Sequence, residues 1–342
     1  MNRRQFIAVP LAAGVAAAAT TGQGPIGVSF LGVSHSHAKG KLKAIQGSAA
    51  YKLLGVWDED EAVRKQIANM RVVPPEEMLR DPAVEAVIVE SDVPDHERHA
   101  KMALEAGKHV HVEKPPSADV PAFRELLDLA ARKKRLFQQG YMWRHHPGFL
   151  KLHEIVKSGA LGDVYLVTGV MHKTLDAERR PEWARFRGGQ MFELCSHLID
   201  QVVRLQGRPD RITPFLKKHG HFNDNLADNT VAVLEFPGSM GIIIGSALNP
   251  DGNRYRSFVV SGTKGTITLE PIEPGDLFLD LKAAAGPYPK GKHQIKTGPY
   301  VRFEDDFKEF AAAIRDGKPL SVSAMEDLMV QEAVIEASGM QA

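Results

Sequence analysis

The chain has 342 residues, enough for about two domains at ~150 residues each and for a core that needs no covalent staples. Forty-three Lys and Arg against 42 Asp and Glu leave a net charge of +1, which excludes a global field for nucleic acid or an anionic membrane. Charged residues at 25% and hydrophobic ones at 43% exclude wholesale disorder, and the single cysteine, Cys195, excludes an intrachain disulfide.

In chain order, the first feature is Arg3-Arg4 ahead of an uncharged run from Phe6 to Ala19. It predicts a twin-arginine-like signal peptide over 1–22, export to the periplasm and a mature N-terminus between Ala19 and Gly24. The run is too short to cross a bilayer, so the mature chain is expected to carry no membrane span. From Pro25, apolar runs at Ile26–Leu31, Tyr51–Trp57, Ala83–Val89 and His109–Val112 predict strands. Between and after them, Lys39–Gln46, Glu59–Asn69, His96–Ala106 and Val120–Lys134 have helical spacing. This alternation predicts a doubly wound parallel sheet over 23–141, covered on both faces.

Past Tyr141 the pattern changes to a helix at Phe149–Ser158 and β-rich runs starting near Asp163, with Thr263-Lys264-Gly265 reading as a hairpin turn. Residues 142–342 therefore read as an α+β domain, closed by helices at Phe303–Asp316 and Ala324–Ser338.

Four motifs carry chemistry. The turn after the first strand, Gly32-Val-Ser34-His35-Ser36-His37, stands where a nucleotide-binding unit offers backbone N–H groups to a pyrophosphate. Gly32 fits the first glycine of G-x-G-x-x-G, while Ser34 and His37 occupy the second and third, and His35 is a candidate pyrophosphate donor. Asp58, 26 residues on at the end of strand two, suits the adenosine ribose hydroxyls. The acids after it disfavour a 2′-phosphate, so NAD is expected over NADP. Asp58 also reads as a simple helix cap.

The third motif, Glu113-Lys114-Pro115, ends strand four at the edge where open α/β sheets bind ligands, and a desolvated Lys114 there can carry a proton. The fourth runs from Gly188-Gly189 through Glu193 and His197 to Asp200. On one helix these three would share a face, with Glu193 orienting His197 for acid/base work; an ordinary solvated face is the competing reading.

Together these motifs resemble the Gfo/Idh/MocA oxidoreductases, relatives of glucose-fructose oxidoreductase and inositol dehydrogenase. The resemblance covers nearly everything after the signal. It implies a Rossmann domain followed by a domain with a large, mainly antiparallel sheet, whose exposed face supports a homo-oligomer, either dimer or tetramer. It also implies hydride transfer between NAD(P) and a sugar or polyol carbon. Lys114 would contact substrate and nicotinamide, His197 would be the acid/base, Glu193 would stand where relatives have aspartate, and Arg144 would line the substrate cleft. Three alternatives stand beside this reading. One is an exported NAD-dependent glycosidase acting through a transient keto-sugar, another a sugar-binding relative without catalysis. The third is a metal-dependent barrel hydrolase suggested by His35-x-His37, His109-x-His111 and His219-x-His221; it ranks last, and no metal is expected.

Overall fold

The structure is a computed structural model that describes residues 24–341; the signal peptide expected over 1–22 lies outside the described residues. Ile26–Leu31 (β1) is fully buried, as an interior strand of a parallel sheet covered on both faces must be. The sheet continues with β2 (Tyr51–Trp57), β3 (Ala86–Val89), β4 (His109–Val112) and β5 (Phe137–Gln139). Its helices are α1 (Ala38–Gln46), α2 (Glu61–Gln66), α3 (Pro75–Arg80), α4 (His96–Glu105) and α5 (Val120–Lys133). All pairings are parallel, in the order β2-β1-β3-β4-β5. The connection from β1 runs to β2 on one side and that from β3 runs to β4 on the other, so a crevice opens where β1 and β3 end.

The expected helix over 59–69 is confined to α2, because Asp60 caps it through the Ala62 N–H and Ile67 ends it. Gly32 has φ +86°, and a Cβ there would lie 2.3 Å from the Ser91 Cα, so only glycine lets the first turn pack against the β3 edge.

The second half holds α6 (Pro147–Lys157), β6 (Val164–His172), α7 (Arg180–Ala184), α8 (Gln190–Glu193) and α9 (Ser196–Gln206). Strands β7 (Arg211–Lys217), β8 (Asn229–Phe236), β9 (Ser239–Ser246), β10 (Ser257–Gly262), β11 (Gly265–Leu269), β12 (Leu277–Leu281) and β13 (Gly291–Ile295) come next, then α10 (Glu304–Asp316) and α11 (Ala324–Ala337). Strands β6 to β13 form one sheet in the order β13-β12-β11-β10-β6-β9-β8-β7, antiparallel except for the β6–β9 pair. The hairpin at Thr263-Lys264 joins antiparallel β10 and β11 as expected. Neither outer strand is predicted from the sequence, because edges tolerate what central strands do not: β7 contains Pro214, and β13 is largely polar.

Helices α8 and α9 cover one face of this sheet, over buried Val167, Met171, Ala232, Leu234 and Ile243. Cross-strand register places Phe215, Val231, Ile244 and Val170 in a row on the opposite face, beside Val233 and Ile242. A five-stranded parallel sheet beside a mainly antiparallel one is not an eight-fold barrel, which removes the barrel-hydrolase reading.

Candidate active site

The site forms where the β1 turn, the end of β4 and the α8–α9 segment meet. After four buried strand residues, β4 delivers Glu113 and Lys114 with almost no exposure. The Lys114 ammonium donates to the Glu193 carbonyl at 2.7 Å and to its carboxylate at 3.2 Å, joining the parallel sheet to the second half of the chain.

The expected continuous helix over 188–200 does not form. The N–H groups of Leu194 and Cys195 both converge on the Gln190 carbonyl, at 3.1 and 3.2 Å, so one extra residue enters the turn between α8 and α9. One added residue rotates the rest of a helix by about 100°. Glu193 and His197 therefore part company, and no hydrogen bond joins them among the described residues. Glu193 faces Lys114 and, at 3.7 Å, the His35 Nε2. The His197 ring packs instead near Trp143, Tyr141 and His37, at centroid distances of 5.1, 5.7 and 6.4 Å. Its Nδ1 is buried and has no hydrogen-bond partner among the described residues.

Burial holds the His197 pKa well below the usual value, and the Lys114 cation pushes the same way, so the ring is neutral and can accept a proton. Burial alone would raise Glu193, but the Lys114 cation, helped by His35, outweighs it and holds the carboxyl near about 2. The ordered carboxylate thus serves Lys114 rather than His197, correcting the sequence expectation.

His35 is anchored by its own backbone. Its N–H donates to the Glu90 carbonyl at 2.9 Å, and its Nδ1 accepts the His37 N–H at 3.2 Å, which leaves the ring hydrogen on Nε2, toward Glu193. Behind the turn lies a charge cluster that sequence reasoning missed. The Lys41 Nζ donates to Glu90 Oε1 at 2.6 Å and to Glu113 Oε2 at 2.5 Å, and contacts His111 Nε2 at 2.8 Å; all four side chains are fully buried. Burial, reinforced by Glu113 and opposed by Lys41, raises Glu90 to about 8, whereas Lys41 and the two turn histidines hold Glu113 low. In the sequence, Lys41 lies two residues from both Lys39 and Lys43, on the opposite side of the helix and in line with the apolar Ala38, Leu42 and Ile45, so helical spacing already turns it inward while its partners come only from the fold.

Arg144 departs most from expectation. Its Nε and Nη2 donate to Asp200 Oδ1 at 2.9 and 2.7 Å, and its Nη1 donates to Asp327 Oδ1 at 2.7 Å. It holds α9 and α11 together and does not line the crevice, because two buried carboxylates claim its donors.

The crevice has a volume of about 500 Å³, within the usual range for small-ligand sites. Ser34, His35, Ser36 and Asp58 line it from the β1–β2 side, Ser91 and Asp92 from β3, and Trp183 and Glu193 from the second half. The backbone N–H groups of Ser34 and Ser36 have no acceptor among the described residues, so two donors are open for a phosphate. Asp58 accepts from the Val33 N–H at 2.7 Å and from the Asp60 N–H at 3.0 Å, so it braces the turn while facing the crevice. This donor set fits a dinucleotide.

Comparison with known proteins agrees. Residues 26–141 match an oxidoreductase family with an NAD-binding Rossmann fold, and residues 149–268 match the GFO/IDH/MocA C-terminal domain. The uncharacterized oxidoreductase ORF334 of Rhizobium meliloti is 30% identical over 262 residues, 72% of this chain and 75% of that one. The scyllo-inositol 2-dehydrogenase (NADP(+)) IolW of Bacillus subtilis is 28% identical over 301 residues, covering 81% and 82%. A levoglucosan dehydrogenase solved with NADH and levoglucosan shares the fold at a TM-score of 0.78 and 17% identity, over 92% of this chain and 97% of that one. With the predicted turn, Glu-Lys-Pro edge and paired sheets all present, the chain belongs to the Gfo/Idh/MocA family of oxidoreductases and carries its NAD-binding Rossmann fold.

Proposed function

We propose that this protein is an NAD-dependent dehydrogenase acting on a hydroxyl-bearing carbon of a sugar or polyol. The observation that carries the reading is the Lys114–Glu193 link at the inner end of the crevice, with the neutral His197 ring close by. Ser34, Ser36 and Asp58 would hold the dinucleotide, and Glu113 and Lys114 would flank its reactive end. A bound nicotinamide would supply the hydride acceptor for the carbinol carbon. His197 takes the hydroxyl proton, the Lys114 ammonium stabilises charge building on that oxygen, and Glu193 keeps the ammonium in place.

Asp58, Glu59 and Asp60 support NAD over NADP, since a 2′-phosphate would meet carboxylates. The nearby Arg64 donates through one Nη to the Asp58 and Glu59 carbonyls, so that donor is already committed. The proposal extends to export through the Arg3-Arg4 signal and to a homo-oligomer in which a second copy covers the apolar sheet face around Val231 and Ile244.

Calorimetric titration should show NAD binding more tightly than NADP. Binding of neither dinucleotide at millimolar concentration would sink the reading. With a turned-over polyol in hand, His197→Asn is expected to lower kcat by ~10²–10⁴-fold while leaving NAD affinity intact. Because His35 borders the crevice, His35→Ala should weaken NAD binding by roughly tenfold, the worth of about one hydrogen bond. An unchanged Kd would remove His35 from the cofactor contacts.

A further inference from the structure

We propose that Lys173 and Arg256 form an anion subsite beside the Lys114–Glu193 link, so that the substrate is a sugar or polyol bearing a carboxylate or phosphate group. The inference rests on the dehydrogenase reading of the crevice and names the substrate class within it. Both cations come from the helix-covered face of the large sheet. Lys173 directly follows β6, and side-chain alternation puts it on the same face as the buried Val167 and Met171. Its N–H donates to the Ser246 carbonyl at 2.9 Å, and a Cβ on Gly252 would lie 2.4 Å from its Cα, so its backbone is fixed from two sides. Arg256 directly precedes β10, whose Ser257 lies opposite Val170, and its Nε donates to the His172 carbonyl at 3.1 Å. The two side chains thus leave from paired strands at the same end of the sheet.

Both side chains are half-buried, and neither forms an ion pair among the described residues. The carboxylates that act on them, Glu193 on Lys173 and Glu273 on Arg256, are already taken. Lys114 holds Glu193, while Arg302 and the Trp143 indole N–H hold Glu273. Arg179, beside Lys173, is matched by Glu182 at 3.5 Å. The Lys173 ammonium lies 5.2 Å from the centre of the Trp183 ring, which lines the crevice; that contact attracts the cation without neutralising it. Two desolvated cations without counterions are unfavourable, and one anionic ligand compensates both. Burial, reinforced by Arg179, Arg256 and Lys114 and opposed by Glu193, lowers the Lys173 pKa to about 8, and Arg256 in turn helps to lower His197. The pair is therefore within electrostatic reach of the proposed reaction centre. The dinucleotide phosphates have their own donors at Ser34 and Ser36 on the β1 side, which leaves these second-half cations for substrate. An ammonium and a guanidinium take either a carboxylate or a phosphate through charge-assisted hydrogen bonds.

The test uses the full purified chain, saturated with NAD and titrated calorimetrically with matched compounds: D-gluconate against D-glucitol, D-galacturonate against D-galactose, and D-glucuronate and D-glucose 6-phosphate against D-glucose. In at least one comparison the anion is expected to bind at least about tenfold more tightly than its neutral partner, and whether acids or the phosphate show this identifies the group the subsite takes. Lys173→Met and Arg256→Met should each reduce that preference by at least about tenfold, in variants whose circular dichroism shows them folded and whose NAD affinity matches the parent's. Lys173→Arg, which keeps the charge, should retain most of it. Equal affinity in every comparison, or no binding in any, would overturn the proposal. So would a preference that both methionine variants keep, or a loss of NAD affinity in either as large as the loss of anion affinity. The same titrations on nucleotide-free chain read the subsite even if NAD fails to bind, and equal affinities in the NAD-saturated chain leave the dehydrogenase reading standing.

Discussion

Replacing Arg144 with methionine is expected to destabilise the protein by ~3–5 kcal/mol, a fifth or more of the ~5–15 kcal/mol that holds a folded protein together. The guanidinium is buried and neutralises two carboxylates on separate helices, Asp200 of α9 and Asp327 of α11. Methionine fills much of the same volume but leaves both acids uncompensated. Burial already raises Asp327 to about 6 against the pull of Arg144, so without that pull it would take up a proton and lose its hydrogen bonds. Arg144→Lys should fall between, because one ammonium cannot reproduce the guanidinium fork. Thermal unfolding checks this, with a drop of roughly 6–15 °C expected for the methionine variant. A Tm unchanged within a degree, with only KM altered, would return Arg144 to the substrate cleft.

Acid should unfold the chain within about two units below pH 6.5. His96, His109 and His146 are held near about 4 and His111 and His153 near about 3, in each case chiefly by burial. Burial also lowers His35, His37 and His197. In the unfolded chain each protonates near 6.5, so around pH 5 the five held near 3–4 bind about five more protons unfolded than folded, and the other three add in the same direction. Glu90, held near about 8, and Asp306 and Asp327, near about 6, act oppositely, because they stay protonated in the fold.

The net difference is at least about two protons, and since the unfolded state binds more, stability rises with pH. The slope is at least ~3 kcal/mol per unit between pH 6 and 4.5. Stability from the histidines is therefore fully present above pH 6.5 and is lost as pH falls toward 4. Melting temperatures measured from pH 8 to 4 should hold level to about pH 7 and then drop steeply. A flat profile between pH 7 and 5 would show that these histidines are not buried neutral.

Much of the parallel half was legible residue by residue. Ile26–Leu31 is a short apolar run and His109–Val112 an alternating His/Val run, and they end at Gly32 and at Glu113, where a chain leaving a buried strand must turn. Their lengths and endings place the site edge without any knowledge of the partners. The tail helices show themselves in the same way, one stopped by Gly317 and the other opened by the Ser323–Glu326 capping box. Periodicity failed where it assumed an unbroken helix: nothing in Gln190–Asp200 announces that the Leu194 and Cys195 N–H groups will share one carbonyl.

Local pattern by itself determined the order of chemistry along the chain: the glycine turn, the ribose acid, the Lys114 edge and the His197 segment, each a short-range signal of backbone and burial. Tertiary packing alone decided which charges meet. Lys41 turned inward to Glu90 and Glu113, Arg144 went to α11 rather than to substrate, and Glu193 chose Lys114 over His197. Arg144 and Asp327, 183 residues apart, pair because that buried carboxylate is nearest once the layers close, and no residue spacing encodes that distance.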